Sequence, residues 1–231
     1  MRHVAIVLVA AAVLIGSITP ILRAEITADE VRAALANGVN HLKRKQKADG
    51  TWPGYGAFPD GVTSLCTLAL LHAGVGPDDP AVSKALARLR ASRLDKTYTV
   101  SLQTMVFCKA EPAEDILRIQ RNVEWLEQNQ IDRGSAKGSW SYPGGPIGRT
   151  GDNSNTQFAL LALHEAERAG AHVQERTWRL AKAHWESCQN PDGSWDAESH
   201  TDDRMYGNAY TTALVLMTLG APNQLLPIFQ R

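Results

Sequence analysis

Two kinds of helical segment alternate along this chain. In the first kind, apolar residues recur three or four positions apart in an otherwise polar stretch, which is the pattern of a helix with one buried face. Four segments have this pattern, with apolar positions at Val31, Leu35, Val39 and Leu42; at Val82, Ala85, Leu86 and Leu89; at Ile116, Ile119, Val123 and Leu126; and at Trp178, Ala181 and Trp185. Each is followed by a segment that is apolar nearly all round, over residues 63–73, 98–110, 155–169 and 208–219.

A helix that is apolar on every side must be buried on every side. The pattern therefore predicts an all-α domain of about four helical hairpins. In each hairpin the polar-faced helix belongs to an outer layer and the apolar helix to an inner layer. No useful length of chain alternates with a period of two, so we expect no β-sheet.

A short motif recurs where three of the outer helices end. Its first and third copies share a glutamine, three residues, a glycine, one residue and a tryptophan, whereas the middle copy has a longer gap after its glutamine. At a helix end the last carbonyls lack partners, which a glutamine amide can supply, and a glycine lets the chain reverse. A tryptophan then covers the neighbouring helix ends. We therefore expect three structural clasps between adjacent hairpins: Gln46, Gly50 and Trp52; Gln130, Gly138 and Trp140; and Gln189, Gly193 and Trp195.

The Gln-x3-Gly-x-Trp spacing is similar to the QW-type repeat of squalene and hopene cyclases, and to the wider prenyltransferase and squalene-oxidase repeat family. The resemblance covers residues 28–221 and leaves 222–231 as a C-terminal tail. It implies an α/α toroid, in which inner helices ring a central cavity. A complete ring of that family has more hairpins than the four counted here, so we expect a partial toroid, either open or completed by a second copy in a homodimer or by another chain.

The first residues are typical of a targeting segment. An apolar run over residues 4–15 is followed by a break at Pro20 and by a small residue, Ala24. We expect residues 1–24 to be a signal peptide of a periplasmic or extracellular protein, and an uncleaved N-terminal membrane anchor is the alternative. No other association with a membrane is expected.

The charge balance and the cysteine content narrow the possible classes of function further. Lys and Arg total 24, as do Asp and Glu, so the chain has no basic field for nucleic acid and nucleic-acid binding is excluded as a function. The three cysteines, an odd number, are not a disulfide framework. The nearest set of zinc ligands is Cys188, His184 and His200. Cys188 and His184 share one face of an outer helix, but that helix faces away from the cavity that the resemblance implies, so we expect neither a metal nor a cofactor.

The resemblance also implies that chemistry lies where the inner helices begin. The stretch from Asp152 to Gln157 resembles the Asp-x-Asp-Asp acid motif of alkene-protonating cyclases, but Ser154 and Asn155 stand where two of the three acids would be. Asp152 is thus the best candidate acid, with Asn155 beside it, and its alternative role is a helix cap. A second acidic pair is Asp202 and Asp203. The residues expected to line the cavity are Tyr98, Gln103, Gln157, Tyr206, Asn208 and Tyr210.

Two functions follow from these expectations. The first is a non-catalytic module that binds an apolar small molecule or a protein partner outside the cytoplasm, since the acid and zinc motifs are not intact. The alternative is an isoprenoid cyclase or prenyltransferase-like enzyme with Asp152 as its acid. Its cavity would be lined by aromatic rings, which suit carbocation-like intermediates; the candidates are Tyr98, Phe107, Phe158, Tyr206 and Tyr210.

Overall fold

The structure is a computed structural model that describes residues 27–54, 56, 58, 60–142, 151–196 and 201–220, with the side chains of 201–206 excepted. Over these ranges the chain is all-α, with eight helices and no strand. The predicted signal peptide and C-terminal tail lie outside the described residues. The helices are α1 (Ala28–Lys45), α2 (Gly61–His72), α3 (Pro80–Ala91), α4 (Thr97–Ala110), α5 (Pro112–Gln128), α6 (Asn153–Arg168), α7 (Glu175–Cys188) and α8 (Thr201–Gly220).

The predicted apolar helices are confirmed as α2, α4, α6 and α8. Helix α8 starts earlier than expected, but Gly207 interrupts it with a non-helical backbone at φ 72° and ψ −173°, so its regular part begins at the predicted residue, Asn208. Only glycine adopts such angles without a steric penalty. The predicted polar-faced helices are confirmed as α1, α3, α5 and α7. The buried face predicted on α1 is wrong, because no residue of α1 is buried: Val31 and Leu35 are 46% and 53% exposed, and of its predicted apolar positions only Val39 and Leu42, which pack against the core, are half-buried.

By its contacts the chain divides into two units, residues 1–37 and residues 38–231. In the first unit, Thr27 and Glu30 form a reciprocal cap at the start of α1: the Thr27 backbone N–H donates to the Glu30 carboxylate at 2.8 Å, and the Glu30 N–H donates to the Thr27 hydroxyl at 3.2 Å. Such a capping box satisfies two backbone donors that the helix itself leaves free.

In the second unit the apolar helices pack on one another in chain order, α2 on α4, α4 on α6 and α6 on α8. The polar-faced helices pack against them, α3 on α2 and α5 on both α4 and α6. The core therefore lies along the row of apolar helices. Its largest fully buried side chains include Trp140, Phe107, Leu70, Leu86, Leu89, Ile119, Leu126 and Leu163.

The three clasps share one geometry. Each tryptophan indole N–H donates at 2.8 Å to the carbonyl four residues before the clasp glutamine, which is Leu42, Leu126 or Trp185. Each glutamine amide donates to the carbonyl of its own clasp glycine, at 3.0, 3.0 and 3.2 Å. The three glycines have left-handed φ values of 84°, 96° and 87°.

The longer gap in the middle clasp does not change this geometry. Gly138 N–H donates to the carbonyl of Ile131 at 2.8 Å, as Gly50 N–H donates to that of Lys47 at 3.0 Å. Residues 132–137, six where the first clasp has two, thus form a loop whose two ends are joined by this hydrogen bond. Only the length between glutamine and glycine differs.

Candidate functional site

Four aromatic side chains form a cluster near the N-terminal ends of α4 and α6. The ring centroids of Phe58 and Tyr142 are 6.1 Å apart, those of Tyr142 and Tyr98 are 6.5 Å apart, and those of Tyr98 and Phe158 are 4.5 Å apart. Each of the four residues is half-buried. We call these four residues the aromatic cluster.

Local structure explains how the four rings meet. Tyr98 lies in the first turn of α4 and Phe158 lies in the second turn of α6, and these two helices pack together. Phe58 precedes α2, and Tyr142 lies two residues after the middle clasp tryptophan, Trp140. The Thr97 hydroxyl joins the segment of Ser141 and Tyr142 to α4, because it donates to the carbonyl of Ser141 at 2.7 Å.

Tyr98 brings a polar group into the aromatic cluster. Burial raises the pKa of Tyr98 to about 12, and the charge of the nearby Asp152 carboxylate acts in the same direction, while a hydrogen bond with Ser154 opposes them. The phenol therefore stays neutral at physiological pH and remains able to donate a hydrogen bond.

Asp152 caps helix α6. Its Oδ1 accepts from the Asn155 backbone N–H at 2.7 Å, from the Asn155 side-chain amide at 2.9 Å and from the Ser154 hydroxyl at 2.6 Å. Its residue is only 8% exposed. The two residues that stand in place of the motif's other acids thus both donate to the surviving carboxylate, which is the arrangement of a helix N-cap.

Sequence reasoning missed a threonine that completes each clasp. The backbone N–H of each clasp tryptophan donates to a threonine hydroxyl on the next inner helix, and the bonds run from Trp52 to Thr63 at 3.3 Å, from Trp140 to Thr156 at 2.9 Å and from Trp195 to Thr212 at 3.0 Å. The separations along the chain are 11, 16 and 17 residues. Because the loops differ in length, no fixed spacing marks these threonines in the sequence.

Gln103, expected in the cavity lining, lies elsewhere. It is 3% exposed, its amide donates to the Leu89 carbonyl at 2.9 Å, and its oxygen accepts from Asn122 at 2.9 Å. Leu89 occupies on α3 the position whose carbonyl accepts a tryptophan N–H in the other hairpins. Gln103 therefore serves as the clasp of the one hairpin that lacks the motif.

A buried ion pair joins this hairpin to the next one. The Arg90 guanidinium donates to both carboxylate oxygens of Asp115, at 3.0 and 2.8 Å, and to Glu111 at 2.7 Å. These hydrogen bonds, with that to Asp115 the largest, raise the pKa of Arg90. Since Asp115 is fully buried and its partners join α3 to α5, the pair is structural.

The remaining candidates are dispersed. Gln157 is buried in α6, Asn208 and Tyr210 are exposed on α8, and Phe107 belongs to the core at 1% exposure. Tyr210 is still near enough to raise the pKa of Tyr98 by its charge. The side chains of Asp202, Asp203 and Tyr206 lie outside the described residues.

A cysteine and a histidine do approach each other on α7. Cys188 Sγ lies 3.9 Å from His184 Nδ1, and burial lowers the pKa of His184. A neutral, buried imidazole is a poor partner for a thiolate, because it is the cationic form that stabilises the sulfur's charge. Within the described ranges no group of three or more His, Cys, Asp or Glu side chains is placed to hold a metal ion.

No protein-family model and no curated protein matches this chain. In the part of the chain that the structure describes, no helix combines the length and apolar character needed to cross a membrane.

Proposed function

We propose that the chain is an exported helical-repeat module of the terpenoid-cyclase-like α/α type, a partial toroid of four hairpins that binds an apolar ligand at the aromatic cluster. The observation that carries this proposal is that all four clustered aromatic residues are half-buried. Rings that only stabilised the core would be buried, as Phe107 is. Ligand sites combine such apolar surface with a few polar groups, here the Tyr98 phenol.

The geometry of Asp152 favours binding over catalysis. An acid that protonates an alkene must present its proton to the substrate, whereas Oδ1 of Asp152 accepts three hydrogen bonds from its own helix turn. Ser154 and Asn155, at the positions of the two missing acids, cannot replace them, since hydroxyl and amide groups are far weaker acids. The alternative, an isoprenoid cyclase with Asp152 as acid, draws support only from the closeness of Asp152 to Tyr98.

The test is binding of an isoprenoid alcohol, farnesol, to the full chain by equilibrium dialysis. We expect Tyr98→Ala and Phe158→Ala to weaken binding roughly 2- to 13-fold each, the range that corresponds to aromatic contacts of about 0.5–1.5 kcal/mol. Trp178→Ala, which removes a half-buried aromatic ring from outer helix α7, is the control and should leave the affinity unchanged.

Two results would count against the module. Equal farnesol affinity in the Tyr98→Ala, Phe158→Ala and parent proteins would mean that the aromatic cluster is not the site. Product formation from squalene or farnesyl diphosphate that disappears in Asp152→Asn would instead establish the enzyme.

A further inference from the structure

The first two clasps make the same contact with the outer helix that follows them. Gln46 donates to the Ala81 carbonyl of α3 at 2.8 Å, and Gln130 donates to the Thr177 carbonyl of α7 at 3.0 Å. On α3 the acceptor Ala81 lies eight residues before Leu89, whose carbonyl accepts the Gln103 side-chain amide. On α7 the acceptor Thr177 lies eight residues before Trp185, whose carbonyl accepts the Trp195 indole N–H. The register of the contact is therefore the same in both places.

The clasp glycines follow the same register. A Cβ added to Gly50 would lie 2.6 Å from the carbonyl oxygen of Lys84, and one added to Gly138 would lie 2.1 Å from that of Leu180. Each of these carbonyls is three residues after the acceptor of the glutamine bond. Both glycines are buried, because the helix backbone of the next repeat lies directly on them.

The third clasp has the same shape but lacks such a helix among the described residues. Gln189 and Gly193 are exposed, and nothing described lies within 4 Å of a Cβ added to Gly193. The one hydrogen bond described for the Gln189 side-chain amide is to the Gly193 carbonyl. The third clasp thus has the same geometry with which the first two clasps bind an outer helix.

Helix α1 presents the complementary face. Counting eight residues back from Leu42, whose carbonyl accepts the Trp52 indole N–H, places Ala34 at the acceptor position. The next residue, Leu35, is 53% exposed, although the residue at its position on α3, Val82, is fully buried. Gly38 is also exposed, with nothing within 4 Å of an added Cβ.

Charges on the two open faces are complementary. In the first contact Lys43 pairs with Asp79 at 2.5 Å. Lys43 lies three residues before the clasp glutamine Gln46, and Asp79 lies two residues before the acceptor Ala81. The residues at these positions on the third clasp and on α1 are Glu186 and Arg32, which reverse the pair and keep its opposite signs. Both side chains are exposed, Arg32 at 69% and Glu186 at 62%, and each pairs with a residue of its own helix.

Exposed apolar side chains are concentrated on the first, second and last of the described helices. Of the large hydrophobic residues that are exposed, all but Leu117 lie on α1, α2 or α8: Val31, Leu35, Leu65, Tyr210, Leu216, Met217 and Leu219. Among the inner helices, α4 packs on both α2 and α6, and α6 packs on both α4 and α8. Exposed apolar side chains that lie one helical turn apart, as Val31 and Leu35 do, are typical of interaction sites.

We propose that α1 of one copy of this chain docks on the third clasp of a second copy, in the register that the first two clasps use internally. The Gln189 amide then donates to the Ala34 carbonyl, Gly193 lies under Asn37, and Glu186 pairs with Arg32. The contact is heterologous, so it produces a closed ring or an open chain of copies according to the rotation between them. This association does not depend on ligand binding at the aromatic cluster.

The test is sedimentation of the full chain over a range of concentrations. We expect a weight-average mass that rises above the monomer value of 25.2 kDa as concentration increases. Glu186→Arg should weaken association about tenfold, because it places two cations together in the interface. Combining it with Arg32→Glu should restore association, which no purely local effect on folding would do.

Glu124→Arg, which reverses an exposed glutamate on α5, is the matched control and should leave association unchanged. Circular dichroism verifies that each variant is folded. A monomer at every concentration would overturn the proposal, and so would association that Glu186→Arg leaves intact. If removal of residues 221–231 made a monomeric chain associate, that segment rather than a second copy would occupy the third clasp. Farnesol binding by Glu186→Arg, measured in parallel, is expected to stay at the parent value.

Discussion

The clasp glycines provide a matched set of substitutions that separates backbone conformation from contact between repeats. Gly50, Gly138 and Gly193 have similar left-handed φ values, between 84° and 96°. Alanine at any of them meets the same conformational penalty, about 1–2 kcal/mol. Only at Gly50 and Gly138 would the new methyl group also strike a carbonyl of the next outer helix.

The size of the second effect follows from the distances. The added carbon at Gly138 would lie 2.1 Å from the Leu180 oxygen, and at Gly50 it would lie 2.6 Å from the Lys84 oxygen, both well inside the 3.4 Å at which ordinary contact begins. Since both obstacles are helix backbone, the helix itself must shift, and overpacking of this kind costs about 1–3 kcal/mol. We therefore expect Gly138→Ala to lower the free energy of unfolding by about 2–5 kcal/mol and Gly193→Ala by about 1–2 kcal/mol.

The measurement is urea unfolding followed by circular dichroism, at concentrations low enough for the chain to be monomeric. The expected order of stability is parent, Gly193→Ala, Gly50→Ala and then Gly138→Ala, with similar slopes against urea concentration. The excess loss at Gly138 over Gly193 corresponds to a fall in melting temperature of roughly 2–12 °C. Equal losses at all three glycines would refute the reasoning, because the contact with the next helix would then contribute nothing.

Three further predictions concern the same framework. Gln130→Leu should lower the free energy of unfolding by about 1–3 kcal/mol, since two buried carbonyls lose their donor, whereas Gln189→Leu at the exposed clasp should change it by less than about 0.5 kcal/mol, both by urea unfolding. Thr156→Val keeps the shape of the side chain but leaves the buried Trp140 N–H without its acceptor, so a loss of about 1–3 kcal/mol is expected in the same assay. Burial lowers the pKa of His184, so the unfolded chain binds its proton more readily; the associated stability is full above the unfolded pKa of about 6.5 and is lost as pH falls below it. Thermal unfolding between pH 7.5 and 5 should therefore show a smaller acid-side decline in His184→Asn than in the parent, and parallel declines would contradict this assignment.

The helices could be predicted from the sequence because their signals are local. The spacing of Ile119, Val123 and Leu126 predicts a buried stripe, and all three side chains are fully buried in α5. The apolar segments are equally plain, and the regular part of α8 begins at Asn208 as predicted. Asp152 capping α6 was also one of the roles that its position allowed.

The contacts between repeats could not be predicted in the same way, because they join residues across loops of unequal length. Thr156 reaches Trp140 across a loop longer than the one between Thr63 and Trp52. Gln103 lies near the start of α4, where the sequence predicts the cavity lining, but its amide instead donates to a carbonyl of α3. The Gln103 amide donates to an outer-helix carbonyl, as a tryptophan N–H does in the other three hairpins. Residue type alone does not predict that a glutamine can replace tryptophan as this donor.

The aromatic cluster was found only in part for a related reason. Tyr98 and Phe158 lie on helices, where periodicity places them near the start of the inner layer. Phe58 and Tyr142 lie in loops, which have no periodicity, and only the tertiary structure brings them within 6.1 Å of each other. Periodicity therefore predicts the two helical residues of the aromatic cluster but not the two that lie in loops.

The most distinctive residues of the sequence are engaged in holding hairpins together. A side chain cannot both satisfy a buried carbonyl and present the same donor to a substrate, so the clasp glutamines and tryptophans are excluded as catalytic groups by their own hydrogen bonds. Asp152 is similarly engaged by its helix. Two accessible features remain outside this set of hairpin contacts: the half-buried aromatic cluster, and the third clasp with its exposed Gly193. Since a repeat unit gains stability from each covered neighbour, the same clasp that closes two contacts within the chain is the natural place for a third contact outside it.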